Sequence, residues 1–138
     1  TSNYLDIDND PLYPFGYGLS YTTFKYGKPT LSSNTMTNNE TISVSVDITN
    51  TGNYDADEIA QMYIRDLAAS VSRPVKELKG FERISIKKGE TKTVTFTITP
   101  EDLKFYNQEL EYKNEPGEFE VMVGPNSKDV QTLTFTLK

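Results

Sequence analysis

The sequence has 138 residues, no cysteine, no histidine and a formal net charge of −6. That charge balance disfavours nucleic acid and anionic membranes, which select clustered Lys and Arg; the missing thiols exclude a disulfide framework and thiolate metal sites, and the missing imidazoles remove the commonest general base and the commonest zinc ligand. A hydrophobic fraction of 36% fits one small β-rich domain with polar outer faces better than a helical bundle, and no apolar stretch approaches the roughly 20 residues that would cross a bilayer.

Residues 1–20 show no period and read as an arm or interdomain linker, leaving 21–138 as the folded domain. The first residues, Thr1-Ser2-Asn3-Tyr4, have neither the basic start nor the apolar run of a signal peptide, so the chain begins like a piece of something longer. Asp6, Asp8 and Asp10 alternate in this arm; a calcium loop is the sharp reading, but the glycine and closing glutamate of an EF-hand are absent and a solvated acidic arm is the default. Next comes the run Pro11-Leu12-Tyr13-Pro14-Phe15-Gly16-Tyr17-Gly18-Leu19-Ser20-Tyr21-Thr22-Thr23-Phe24. Its prolines remove backbone donors and its glycines favour bends, so it forms no regular element. Rings left in water forgo the free energy of burial, so this run is expected to dock against a large apolar partner that the chain itself only partly provides.

Regular alternation begins after the run. An opening strand is expected near Phe24–Leu31, and Ile42, Val44, Val46 and Ile48 then mark one face of a half-buried strand. Asn50-Thr51-Gly52-Asn53 supplies turn chemistry. The strand from Asp57 to Arg65 places Ala60, Met62 and Ile64 on one face and Ile59 and Tyr63 on the other, so both faces are expected to be covered. Between Lys76 and Ile86, Leu78 and Phe81 are out of phase, and a bulge at Gly80 would restore register. Lys87-Lys88-Gly89-Glu90 is a turn, and Val94, Phe96 and Ile98 face inward on the next strand. Pro100–Leu103 is expected to make a single helical turn capped by Thr99. Phe105–Tyr112 fits neither template. Phe119, Val121 and Val123, then Leu133, Phe135 and Leu137, define the last two strands. About seven strands without a helix-length pattern predict an all-β, antiparallel sandwich; with no Trp and no Cys the antibody type is excluded and a fibronectin type III-like (immunoglobulin-like) sandwich remains.

Candidate chemistry is sparse. Glu118 with Glu120, and Glu109 with Glu111, have the spacing of solubilising residues on a strand face rather than of a catalytic pair. No serine has a histidine to activate it. Asn39-Glu40-Thr41 is a formal glycosylation sequon, and Gly16-Tyr17-Gly18 lacks the strand–loop–helix context of a phosphate loop. No catalytic, cofactor or metal residue is assigned. The rings of the Pro11–Phe24 run leave two roles open: stacking on sugars, as in a carbohydrate-binding module, or packing between domains. The bends point the rings in several directions, which favours packing. An adhesive domain for other proteins is a third reading, and an isolated fragment with exposed rings is expected to self-associate.

The run Pro11–Phe24 closely resembles a signature of family 3 glycoside hydrolases, the β-glucosidase and β-xylosidase family, at the entry to their C-terminal fibronectin type III-like domain. Ile59-Ala60-Gln61-Met62-Tyr63-Ile64-Arg65-Asp66, Arg73-Pro74-Val75-Lys76-Glu77-Leu78-Lys79-Gly80-Phe81-Glu82-Arg83 and Glu115-Pro116-Gly117-Glu118-Phe119-Glu120-Val121-Met122-Val123-Gly124 resemble further signatures of that domain, in order along the chain. The resemblance implies that the nucleophilic aspartate and the acid/base carboxylate lie in upstream barrel and α/β domains, since a retaining site holds its two carboxyl groups about 5–5.5 Å apart, and no acidic residue here maps onto either role. It implies a non-catalytic accessory domain that packs against those upstream domains and stabilises a parent hydrolysing terminal β-linked glucosyl or xylosyl residues. Leu12, Tyr13, Pro14, Phe15, Gly16, Tyr17, Gly18, Leu19 and Tyr21 would contact the preceding domain, and Arg73 and Pro74, in the loop from Asp66 to Pro74, would face the catalytic body. Oligosaccharide contact, a periplasmic or extracellular parent and the absence of a cofactor complete the expectation.

Overall fold

The computed structural model describes residues 23–68 and 75–138. Two sheets pack face to face. The first is built on β4 (Ile42–Asn50), which pairs along its whole length with β7 (Thr91–Ile98) and on its other edge with two short strands, β1 (Phe24–Tyr26) and β2 (Thr30–Leu31). The single opening strand expected from the sequence is therefore split. Pro29 cannot donate to the ladder, while the Gly27 N–H still reaches Asp47 O at 2.7 Å. The second sheet has the order β3-β11-β10-β5-β6, with β3 at Thr35–Met36, β5 at Ala56–Asp66, β6 at Glu77–Ile86, β10 at Gly117–Gly124 and β11 at Gln131–Leu137.

The opening segment crosses between sheets. It leaves β2 on the first, and its next pairing is β3 against β11 on the second, Thr136 with Thr35 and Leu137 with Met36. This is the one parallel pairing among the described residues; the others are antiparallel.

Period-two burial explains both sheets. Ile42, Val44, Val46 and Ile48 face Ala60, Met62, Ile64, Phe119, Val121, Val123, Phe135 and Leu137 across a common core, while Ser43, Ser45, Asp47 and Thr49 occupy the alternate positions of β4. Phe119 and Phe135 are register partners, and their rings stack with centroids 5.6 Å apart. Polar ties cross the sandwich at its edge: the Tyr26 hydroxyl of β1 donates to Glu58 of β5 at 2.8 Å, and Gln131 Nε2 of β11 donates to Gly27 O at 2.7 Å. The Lys87–Glu90 turn needs a left-handed residue, which Gly89 supplies with φ 79°.

Three expectations are refined. The bulge in β6 is present: Met62 pairs with Gly80 and Tyr63 with Leu78, so Lys79 is the extra residue and Leu78 and Phe81 share the outer face. Pro100–Leu103 is a 3-10 turn with Thr99 at its N-cap, in a capping box with Asp102. Asp102 reaches back, accepting from the Thr99 N–H at 2.9 Å and the Thr99 hydroxyl at 3.1 Å. The ambiguous stretch after it is a small hairpin, β8 (Phe105–Tyr106) with β9 (Tyr112–Lys113).

Candidate interdomain interface

The residues expected to contact a partner, Leu12–Leu19, Tyr21, Arg73 and Pro74, lie outside the described residues, as do Asp6, Asp8 and Asp10. The described flanks of the 69–74 segment are well anchored. Asp66 ends β5 pointing inward, is buried, and accepts a 2.8 Å bond from the Ala68 N–H. Burial pushes its carboxyl above the usual range, Glu115 adds to the rise, and the Ala68 bond opposes both. The Leu67 N–H is held by Glu118 O at 3.0 Å. On the far flank, Lys76 lies over the Tyr63 ring, 5.9 Å from its centroid, and donates to the Ser127 carbonyl.

The outer face of the second sheet is where apolar area reaches solvent. Alternation places Ile59, Gln61, Tyr63 and Arg65 of β5 outward, opposite Arg83, Phe81 and Leu78 of β6 on one side and Gly124, Met122 and Glu120 of β10 on the other. Phe81 is 67% exposed, Leu78 49% and Ile59 41%. The face expected to be covered therefore carries one exposed ring, Phe81, and two exposed aliphatic groups, Leu78 beside it on β6 and Ile59 on β5. Its rim is charged. Arg65 donates to one Glu120 oxygen through Nε at 2.9 Å and Nη2 at 2.6 Å. Asp57 accepts from Ser85 at 2.6 Å and Arg83 at 2.8 Å, and these bonds, Ser85's first, hold its carboxyl below the usual range. Such partly exposed pairs contribute only about 0–1 kcal/mol each, so the rim orients more than it binds.

A second apolar feature is the β8–β9 hairpin. Tyr106 and Tyr112 pair across it with centroids 4.9 Å apart and planes tilted by 43°, and Leu110 stands at its tip. Rings tilted in this way do not form the flat platform that stacks a sugar chain. Lys79, the bulge residue of β6, lies 4.6 Å over the Phe105 ring and ties the hairpin to the sheet edge. Glu111 accepts from Asn107 and pairs with Lys113 at 3.3 Å; both interactions, Asn107's first, hold its carboxyl low. Among the described residues no cluster of three His, Cys, Asp or Glu is placed to hold a metal ion. Asn39 of the sequon sits exposed in the 37–40 turn.

Residues 58–127 match the model of the family described as "Fibronectin type III-like domain". The chain belongs to this family. Its fibronectin type III-like domain is 53% identical over 137 residues to a periplasmic β-glucosidase of Salmonella typhimurium, covering 99% of this chain and 18% of that protein. It is 52% identical over 133 residues to a β-xylosidase of Formosa agariphila, covering 95% of this chain and 18% of that protein. Among solved structures, it superposes on a β-glucosidase of Listeria innocua in complex with glucose with a TM-score of 0.77 at 45% identity, covering 99% of this chain and 19% of that one. The domain thus spans less than a fifth of the curated relatives it matches. It is the fibronectin type III-like part carried by family 3 glycoside hydrolases, as its signatures implied, and not their catalytic part.

Sequence reasoning missed the hairpin and the outer-face strip of this fibronectin type III-like domain. The one usable signal for the strip was the phase break between Leu78 and Phe81. Once resolved by a bulge, it puts two large apolar residues on a face that a self-contained sandwich would make polar.

Proposed function

We propose that this domain is a non-catalytic accessory unit of a β-glucosidase-type hydrolase, packed against the other domains of its own polypeptide and holding their geometry. Residues 1–20 form the interdomain arm and 21–138 the sandwich. Residues 12–19 and Tyr21, with Arg73 and Pro74, belong to the contact with upstream barrel and α/β domains. The parent reaction in this reading is hydrolysis of terminal β-linked glucosyl or xylosyl residues, after the names its relatives bear. The observation that carries the reading is proportion: nearly the whole chain aligns, yet it accounts for 18% of each of these relatives. The exposed Ile59, Leu78 and Phe81 support it, because apolar strips with a charged rim on otherwise polar domains mark contact surfaces.

The test compares the natural polypeptide containing this chain with the same polypeptide lacking residues 1–138. The expected result is a truncated protein that melts at lower temperature and loses turnover of aryl β-glucosides, while the 138-residue chain alone hydrolyses none. Full activity and an unchanged melting temperature after the deletion would overturn the proposal, as would turnover by the chain alone. Saturable binding of a β-glucan by the isolated chain would favour a carbohydrate-binding module instead.

A further inference from the structure

Leu110 breaks two rules at once. It is a non-glycine residue with φ 65°, in the left-handed region that disfavours branched side chains, and it is 77% exposed. Either feature alone is unremarkable; together they describe an apolar side chain held out into solvent by a backbone that resists holding it.

The restraint comes from Asn107, which is buried and closes the turn by itself. Its N–H donates to Glu111 O at 3.0 Å and its carbonyl accepts from the Leu110 N–H at 2.9 Å. Its side-chain oxygen accepts from the N–H groups of Glu109 and Glu111 at 2.9 and 3.0 Å, and its amide nitrogen donates to the carboxylates of Glu111 and Glu115 at 3.0 and 3.3 Å. The tip is therefore rigid before it meets anything, which reduces the ordering cost of binding. Tyr106 and Tyr112 form the ring pair of the same hairpin, and both are about half exposed. Rigid aromatic and aliphatic groups of this kind are what interfaces use as anchors.

The flanks define the partner's chemistry. Within 105–115 the sequence sets Glu109, Glu111 and Glu115 against one basic residue, Lys113, so the hairpin's own charge is negative, while Lys79 of β6 lies over its Phe105 and Tyr112 rings. We propose that the Asn107-braced hairpin inserts Leu110 into an apolar pocket with a basic rim on the remainder of the same polypeptide. This rests on the accessory-domain reading above and names one of its contact points. The occupant is chosen by length: more than four-fifths of each matched relative lies outside the part this chain spans, so a large covalently joined surface accompanies the domain. The exposed, strained leucine is the feature that such a surface would explain.

The experiment uses the whole natural polypeptide. Leu110→Cys and Lys88→Cys, the second in the exposed turn after β6, are labelled with a maleimide, and the modified peptides are quantified by mass spectrometry. Labelling at position 110 at least tenfold slower than at 88, unchanged on dilution through the monomeric range, is the expected result. Equal rates overturn the proposal, and so does protection lost on dilution, which would assign the contact to a second copy. Hydroxyl-radical footprinting of the unsubstituted protein provides a second readout, with Tyr106 and Tyr112 expected to be protected relative to the exposed Tyr54; equal oxidation counts against the insertion. Lysine cross-links elsewhere between this domain and the rest of the chain, with position 110 labelled freely, would sink the hairpin while leaving the accessory reading intact. No cross-links at all would sink both.

Discussion

Replacing Asn50 with alanine tests the packing logic most directly. Asn50 closes β4 and is fully buried. Its amide nitrogen donates to Tyr54 O at 2.8 Å and Ile86 O at 2.9 Å, and its side-chain oxygen accepts from the Gly52 N–H at 2.9 Å. The side chain thus folds the 50–54 turn onto the end of β6 in the other sheet. Alanine removes three hydrogen bonds, each contributing about 0.5–1.5 kcal/mol, and strands polar groups at a buried or half-buried site, for a loss of roughly 3–4 kcal/mol. Against a stability of about 5–15 kcal/mol that is a large fraction, and it corresponds to a fall in melting temperature of roughly 10–20 °C for a domain of this size. Urea unfolding of the 138-residue chain, followed by circular dichroism and tyrosine fluorescence, measures it. Asn50→Asp sharpens the test. It keeps the acceptor for Gly52 but turns two donors into an oxygen facing two carbonyls, so at neutral pH it is expected to be worse than alanine. Burial raises the introduced carboxyl's pKa, so the loss relative to the parent shrinks as pH falls through that raised value and the group regains a proton to donate. An alanine variant within about 1 kcal/mol of the parent, or an aspartate variant with the same deficit at every pH, would refute this account of the turn.

Gly124→Ala would place a Cβ 2.2 Å from the Asp129 carbonyl oxygen, so the β10–β11 loop must move, at a cost of about 1–3 kcal/mol or more. Hydrogen exchange should show lost protection at Lys128 and Asp129, whose N–H groups bond to Asn126, and an unchanged urea midpoint would refute the clash. Tyr26→Phe removes the cross-sheet bond to the Glu58 carboxylate and should cost about 1.5–3 kcal/mol. Burial first, and Glu58 second, push the Tyr26 hydroxyl well above its ordinary pKa of 10.0. The native state therefore holds this proton after the unfolded chain has lost it, stability falls as pH rises past 10, and spectrophotometric titration should find one tyrosine ionising only on unfolding. Asp66 titrates above its ordinary 3.8 because it is buried. Between that value and its raised native value the folded state binds more protons, so Asp66's contribution to stability declines with rising pH across this window. Asp66→Asn should remove that decline in urea titrations run from acid to neutral pH, and identical pH profiles for the two proteins would contradict it.

The alternating strands were legible in the sequence because one face of each is buried and the other wet. Ile42, Val44, Val46 and Ile48, then Val94, Phe96 and Ile98, then Phe119, Val121 and Val123, all lie in the core where period two put them. The fold class follows from the number of such strands and the turns between them, and the family from signatures that occupy fixed places along the chain. Local chemistry was less complete. Asn50 read as a turn residue and Asn107 lay in the stretch that fitted neither template, and both are buried anchors; Thr99 read as a cap, and Asp102 completes the box by accepting from it.

Tertiary structure alone decided what depends on partners distant in sequence. Asn50 meets Ile86 across 36 residues, and Tyr26 meets Glu58 across 32. The exchange of the opening segment between sheets depends on Thr35 and Met36 finding β11 about a hundred residues later. Periodicity reports only whether a position faces apolar matter, not which apolar matter. For the same reason the sequence showed large apolar residues at 78, 81 and 110, and only the folded chain showed that nothing within the described domain buries them.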